Sequence, residues 1–246
     1  MTNTFPVPAD DFVPGPVLLL GAPGVGKGTQ AQILMDRWGI PQISTGDIIR
    51  ENIKSQTAVG VEFQDLVAKG IFVPDDLVNR MVALRLSQPD AGRGYILDGY
   101  PRTLGQAQWL DAQLAGDGFP GTNGEVTAAG KLPVVAVSIE VRYDELLRRI
   151  TGRRTGPVSK RIYNIYTNPP TIDGLDDVDG LPLVQRPDDT VDVFAERMRQ
   201  FADLTAPVIE HYRAQGRFTV VDGEQPVDAV TETIVAALMR MRRESM

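Results

Sequence analysis

Four glycines and one lysine fall within eight positions, 21–28 (GAPGVGKG), and Thr29 follows. Glycines let successive backbone N–H groups turn inward, which makes a concave cradle for an anion. A helix beginning at the lysine would add the positive end of its dipole, and Lys27 a mobile point charge. Gly21, Gly26 and Lys27 match the phosphate-binding loop pattern over its first seven positions. The Ser or Thr that usually follows the lysine is Gly28 here, with Thr29 one place later. A ligand-free glycine turn would use the same residues. The strand, loop and helix that the motif needs nevertheless stand in the required order.

Such a loop needs a strand to carry it and a helix to receive it. PVLLLG (16–21) is a short continuous apolar run, as expected of a strand buried on both faces. A helix is predicted from about Lys27 to Trp38, and short helices through the next 60 residues, where Ile and Leu recur between Gly and Pro. GYILDGY (94–100) reads as a second buried strand ending at an aspartate, and a helix with Leu104, Trp109 and Leu110 follows. GDGFPGTNGEVTAAGK (116–131) reads as an exposed loop and LPVVAVSIEV (132–141) as a third strand. A helix over 144–151 should stop at Gly152. From Thr155 to Pro187 the chain is rich in Pro, Gly and Asp and predicts a small lobe. Val193, Phe194, Met198 and Phe201 predict a helix that Pro207 bends or ends. RFTVVDG (217–223) is a last strand, and Val227, Val230, Ile234, Leu238 and Met241 mark an amphipathic C-terminal helix. This alternation predicts an α/β fold with a doubly wound parallel sheet of the P-loop class.

At 246 residues one main domain is expected, over 17–246, with 1–16 as a flexible, proline-rich extension without signal- or transit-peptide character. A net charge of −7 disfavours general binding to nucleic acid or anionic membranes, so any phosphate chemistry must rest on locally concentrated arginines. The chain has no cysteine, which excludes disulfides and thiolate zinc sites and fits a cytoplasmic protein. No apolar run reaches the ~20 residues of a membrane-spanning helix. The loop alone leaves switch GTPases, motor ATPases and kinases open.

GAPGVGKGTQAQ, PQISTGDIIR and LDGYPRT, in this order and spacing, resemble the adenylate kinase family. The loop variant ending in Gly-Thr is itself typical of that family, and the resemblance runs from about Pro16 to the C-terminal helix. It implies reversible transfer of the terminal phosphoryl group of ATP to AMP, giving two ADP, with Mg²⁺, in a cytoplasmic monomer. It also implies two small inserted lobes, an AMP-binding one at 44–73 and a lid at 155–187, on a core of 17–43, 74–154 and 188–246. Phosphoryl transfer between two anions needs positive charge around the moving group, and arginine's planar fork can grip two oxygens at once.

By position, the resemblance assigns Gly24, Val25, Gly26, Lys27, Gly28 and Thr29 to the ATP phosphates, Lys27 being catalytic. Thr45 and Arg50 go to AMP, at its base and phosphate, with Ile71, Phe72 and Val73 lining the adenine pocket. Gly99, Tyr100, Pro101 and Arg102 form the turn at the AMP phosphate, and Gln106 takes the adenine edge. Arg149 stacks on the ATP adenine, while Arg153, Arg186 and Arg197 surround the transferring phosphoryl, the last two on the AMP side as well. Ile162 and Tyr163 contact ATP from the lid, Gln225 lies near its adenine, and Asp98 organises the water shell of Mg²⁺. Asp188 and Asp189 either orient the flanking arginines or are simply an acidic first turn.

Long-lid relatives often hold zinc at positions occupied here by Gly156, Ser159, Asp176 and Asp179. Since glycine offers no side chain, the expectation is no zinc and an incomplete polar network. Two other functions would use much of the same machinery. A pyrimidine monophosphate kinase is disfavoured by Thr103, by the long lid, and by Thr45 with Gln106. A non-catalytic nucleotide sensor is disfavoured by the presence of Lys27, Arg102, Arg153, Arg186 and Arg197.

Overall fold

The computed structural model describes residues 14–68, 73–116, 118–119 and 132–244. Most of the expected loop 116–131, the expected extension up to residue 13, and Ile71 and Phe72 of the expected adenine pocket lie outside them.

The apolar run becomes β1 (Val17–Leu20), buried at every position. Alternate side chains divide between the two faces. Val17 and Leu19 join one core with α1 (Lys27–Trp38), α6 (Tyr143–Gly152) and α9 (Val227–Glu244). Leu18 and Leu20 join the other, with α4 (Asp75–Leu86), α5 (Leu104–Ala115) and α8 (Ala206–Ala214). A strand covered on both faces must be apolar throughout, which is why this one shows no alternation.

β1 lies between β3 (Ile96–Asp98) and β4 (Val135–Glu140). The outer strands are β2 (Gln42–Ser44) beside β3 and β7 (Phe218–Asp222) beside β4. The order is β2-β3-β1-β4-β7 and every neighbouring pair is parallel. The doubly wound parallel sheet is therefore present as expected. Its register sets Leu19 beside Asp98, and Ser44 beside Asp98 on the far side. Several chemical residues so emerge together at the carboxyl ends of β1, β2 and β3, where ligands of such sheets bind.

Three features depart from expectation. β2 interrupts the stretch expected to be helical, ahead of α2 (Thr45–Lys54) and α3 (Ala58–Ala68). It has three residues and only Ile43 is buried, too short a pattern to register as a strand. The segment 155–187 is entered through an antiparallel pair that begins two residues earlier, β5 (Arg153–Thr155) with β6 (Ile162–Asn164). Before Pro207, α7 (Val191–Gln200) widens into a π turn, Phe201–Thr205, and α8 resumes with the proline in its first turn. A proline cannot donate the regular helical bond, and the wider turn accommodates it without ending the helix.

Candidate active site

The loop leaves β1 at Leu20 and enters α1 at Lys27. It turns at Gly21, Gly24 and Gly26, with φ of 132°, 89° and 102°, a region that suits glycine. Gly26 caps α1 without a side-chain bond, so the first N–H groups of the helix have no side chain in front of them. Val25 is buried, while Gly28 and Thr29 are half-buried in the first turn. Lys27 curls back over the loop and donates from Nζ to the carbonyls of Gly21 at 2.7 Å and Ala22 at 3.0 Å. Its enclosure lowers its pKa from 10.5 to about 8; Asp98 opposes this, while Arg102, Arg153 and Arg197 add to it.

Asp98 ends β3 beside the loop. Gln42, at the start of β2, donates from Nε2 to Asp98 Oδ2 at 2.8 Å. A methyl group on Gly28 would lie 3.6 Å from Ile162 Cδ1 and 3.9 Å from Asp98 Oδ2. Loop, carboxylate and the β6 isoleucine thus meet at one glycine.

Beyond Asp98 the chain turns through Gly99, Tyr100, Pro101 and Arg102. The Gly99 carbonyl accepts from Thr45 Oγ1 at 2.9 Å and from Arg102 Nε at 2.7 Å. At Gly99, with φ of 73°, a Cβ would sit 2.9 Å from Arg102 Nη2. Glycine here lets the guanidinium fold against its own turn. Tyr100 is buried, its hydroxyl donating to Asn79 Oδ1 at 2.7 Å. The Arg102 N–H donates to Gln106 Oε1 at 2.7 Å, and its carbonyl accepts from Thr205 Oγ1 at 3.0 Å. Burial, with Arg197 next in weight, brings the Arg102 guanidinium down to about 10.

The remaining arginines arrive from other elements, three of them paired with a carboxylate. Arg153, the first residue of β5, donates from Nε to Asp189 Oδ2 at 2.8 Å and from Nη2 to Oδ1. Arg197 on α7 pairs with Asp188. Arg50 on α2 pairs with Asp47 at 2.6 Å. Burial works against the Asp188 carboxylate, but Arg197 and Arg50 outweigh it and hold its pKa below the usual range. Arg186 sits between these groups; burial first, then Arg153 and Arg50, lowers its pKa. Lys27 lies within electrostatic reach of Arg102, Arg153 and Arg197, Arg102 of Arg197 and Arg50, and Arg186 of Arg153 and Arg50. Like charges linked in this way make a site suited to a polyanion. Asp188 and Asp189 orient the arginines, the first of the two readings of their sequence.

Arg149 lies across the loop and the turn after β7. It donates to Gly223 O at 3.1 Å and to Glu145 at 2.9 Å, and Nη1 approaches Val25 O at 3.5 Å. Gln225, two residues past Gly223, is exposed and donates to Asp222 Oδ2 at 2.8 Å. Val73, the last residue of the expected adenine pocket, is buried.

The Tyr163 side chain is 1% exposed and turned into its own lobe, donating to Asp176 Oδ1 at 2.7 Å, so a contact with a nucleotide would fall to its backbone. The polar network of that lobe is fuller than expected. The Asp176 carboxylate accepts from Ser159 Oγ, from the Tyr163 hydroxyl, and from the Val178 N–H at 3.0 Å. Gly156 makes this possible, because a Cβ there would fall 1.8 Å from Asp176 Oδ2 and 2.3 Å from Ser159 Oγ. Asp179 instead accepts from the Leu181 N–H at 2.9 Å.

Sequence reasoning passed over Gln42 and Asp75. Asp75 accepts from Gln106 Nε2 at 2.7 Å and from Thr103 Oγ1 at 2.6 Å. These contacts span 56, 31 and 28 residues, so no local pattern announces them.

The family model described as adenylate kinase matches residues 19–217. A protein named adenylate kinase from Gloeobacter violaceus is 44% identical over 218 residues, 87% of this chain and 94% of that protein. Proteins of the same name from Thermosipho melanesiensis and Fusobacterium nucleatum are 41% and 40% identical, over 91% and 90% of this chain and 99% and 97% of theirs. The match spans the glycine loop, the Asp98–Arg102 turn and the arginines of β5 and α7, so the site and the relatives point the same way: the chain belongs to the adenylate kinase family.

Proposed function

We propose that this protein transfers the terminal phosphoryl group of ATP to AMP, reversibly and with Mg²⁺, yielding two ADP. The observation that carries this reading is the electrostatic linkage of Lys27 at the glycine loop with Arg102 of the Gly99–Arg102 turn, Arg153 and Arg197, to which Arg50 and Arg186 are linked in turn. The loop holds the ATP phosphates, and Lys27 exchanges its carbonyl partners for phosphate oxygens. Arg50 and Arg102 hold the AMP phosphate, with Thr45, Val73 and Gln106 around its base. Arg149 and the Gln225 turn flank the ATP adenine. Arg153, Arg186 and Arg197, held ready by Asp188 and Asp189, stabilise charge on the phosphoryl group in transit, so little reorganisation remains for the reaction itself.

Asp98 fits a magnesium shell. It ends a strand beside the loop, Gln42 engages one oxygen, and among the described residues no cluster of three acidic or imidazole groups could cage a metal. Magnesium usually keeps several waters and takes few protein ligands. When bound with ATP it supplies charge neutralisation at the phosphate oxygens.

The 155–187 segment closes over ATP as a lid and 44–73 closes over AMP, excluding water that would intercept the phosphoryl group. Ile162 of the lid approaches the loop at Gly28. The reading includes a cytoplasmic monomer, in keeping with the cysteine-free composition.

The test is ADP formation from MgATP with AMP, UMP, CMP and GMP in parallel, with Lys27→Ala as control. Rapid turnover with AMP, lost by at least about a hundredfold in Lys27→Ala, is the expected result. Preference for a pyrimidine nucleotide, or tight ATP binding without turnover, would overturn the reading.

A further inference from the structure

Gln106 is 3% exposed, and both ends of its amide are engaged. Its Oε1 accepts from the backbone N–H of Arg102 at 2.7 Å, and its Nε2 donates to Asp75 Oδ1 at 2.7 Å. A backbone N–H can only donate and an ionised carboxylate can only accept. Turning the amide over would set donor against donor at Arg102 and acceptor against acceptor at Asp75. One orientation is therefore fixed, although an amide has no such preference of its own. Asp75 is itself fixed, since its other oxygen accepts from Thr103 Oγ1 at 2.6 Å at the N-terminus of α5.

In this orientation Gln106 keeps one N–H on the nitrogen side and one lone pair on the oxygen side. That pair complements an edge with an acceptor ring nitrogen beside an amino group, as in adenine. A guanine or hypoxanthine edge offers N1–H beside a carbonyl, the reverse pattern, and would need the amide turned over. We infer that Asp75, through its hold on Gln106, makes the acceptor site select an adenine edge over a hypoxanthine or guanine edge. This rests on the reading of Gln106 as the residue that meets the AMP base. Asp75 touches no substrate in this account; it is a positioning residue.

The experiment compares kcat/KM for AMP and for IMP, which reverses the edge without adding the guanine amino group, in the wild type, Asp75→Ala and Asp75→Asn. Loss of a hydrogen bond to a charged partner should show as about a tenfold fall or more in the AMP/IMP ratio for Asp75→Ala. Asparagine keeps an acceptor oxygen, so Asp75→Asn should stay within about threefold of the wild-type ratio. If Asp75→Ala does not fold, Asp75→Ser serves, since its shorter side chain suits a first helical turn but cannot bridge Thr103 and Gln106. A purely structural role would lower kcat/KM for both nucleotides alike, and an unchanged ratio in an AMP-active Asp75→Ala enzyme overturns the inference alone. A wild-type protein that does not phosphorylate AMP overturns the functional reading and this inference with it.

Discussion

Asp189 grips Arg153 edge-on across 36 residues of chain, with Nε 2.8 Å from Oδ2 and Nη2 on the other oxygen. The Asp189 carboxylate is 0% exposed and the Arg153 side chain 18%, so the pair is held largely out of water. A two-point contact of this kind fixes both the position and the plane of the guanidinium. In Asp189→Ala the arginine keeps its charge but loses that orientation. The expected result in the ADP-formation assay is a fall in kcat of about tenfold or more, about 1.4 kcal/mol of lost transition-state stabilisation, with a smaller change in KM for ATP. An unchanged kcat would show that Arg153 needs no such guide.

Lys27 gives a pH prediction. Its pKa in the folded chain, about 8, lies below the ordinary 10.5, because enclosure disfavours the charged form. The unfolded chain therefore binds more protons here between these values, and this residue's contribution to stability rises with pH across that window. Phosphate oxygens should restore the charged form. The share of proton uptake on ATP binding that belongs to Lys27, the wild type less Lys27→Met, is then expected to be roughly half a proton at about pH 8 and almost none near pH 6. Calorimetry in buffers of different ionisation heat measures this. An equal difference between the two proteins at both pH values would count against the assignment.

Gly156 gives a steric one. Alanine there would collide with Asp176 and Ser159, and Asp176 cannot withdraw without surrendering its bonds to Ser159, Tyr163 and Val178. Gly156→Ala should speed amide exchange of residues 155–184 by about tenfold or more, since buried polar groups left unpaired cost ~1–3 kcal/mol each. Exchange in the β1 and β4 strands should hardly change. Protection equal to wild type in the lobe would show that the collision is absorbed elsewhere.

Gln42→Leu addresses Asp98. The substitution removes the 2.8 Å bond to Oδ2 and leaves the carboxylate free to turn. Magnesium should then improve ATP affinity less than it does in the wild type, by about threefold to tenfold, given ~1.5–3 kcal/mol for a bond to a charged group. Titration of ATP with and without Mg²⁺ reads this directly. ATP affinity without the metal should stay near wild type. Equal magnesium gains in both proteins would remove Gln42 from the account.

How much was legible in the sequence depended on distance along the chain. The glycine loop and the Asp98–Arg102 turn are contiguous, and their chemistry could be read in place. Strands β1 and β4 announced themselves because burial on both faces requires an unbroken apolar run. β2 and the β5–β6 pair did not, since three residues are too few to show a period. The arginines could be named, and so could Asp188 and Asp189, but these adjacent acids looked nearly as much like a helix first turn. The inward turn of the Tyr163 side chain was hidden for a related reason. A tyrosine in a polar, weakly patterned stretch gives no sign that a carboxylate 13 residues on will draw its hydroxyl inward.

Leu19 and Asp98 are partners in adjacent parallel strands, and each leads within a few residues to one of the two phosphate cradles. Strands in a sheet stand about 4.8 Å apart and are not free to drift. On the proposed function, the separation of donor from acceptor is gauged by the sheet and not by the lobes proposed to close over the substrates. Lobe closure would then govern timing, and the sheet reach. Lengthening or trimming the lobes should retune the tempo of turnover while the span that the phosphoryl group crosses stays the same.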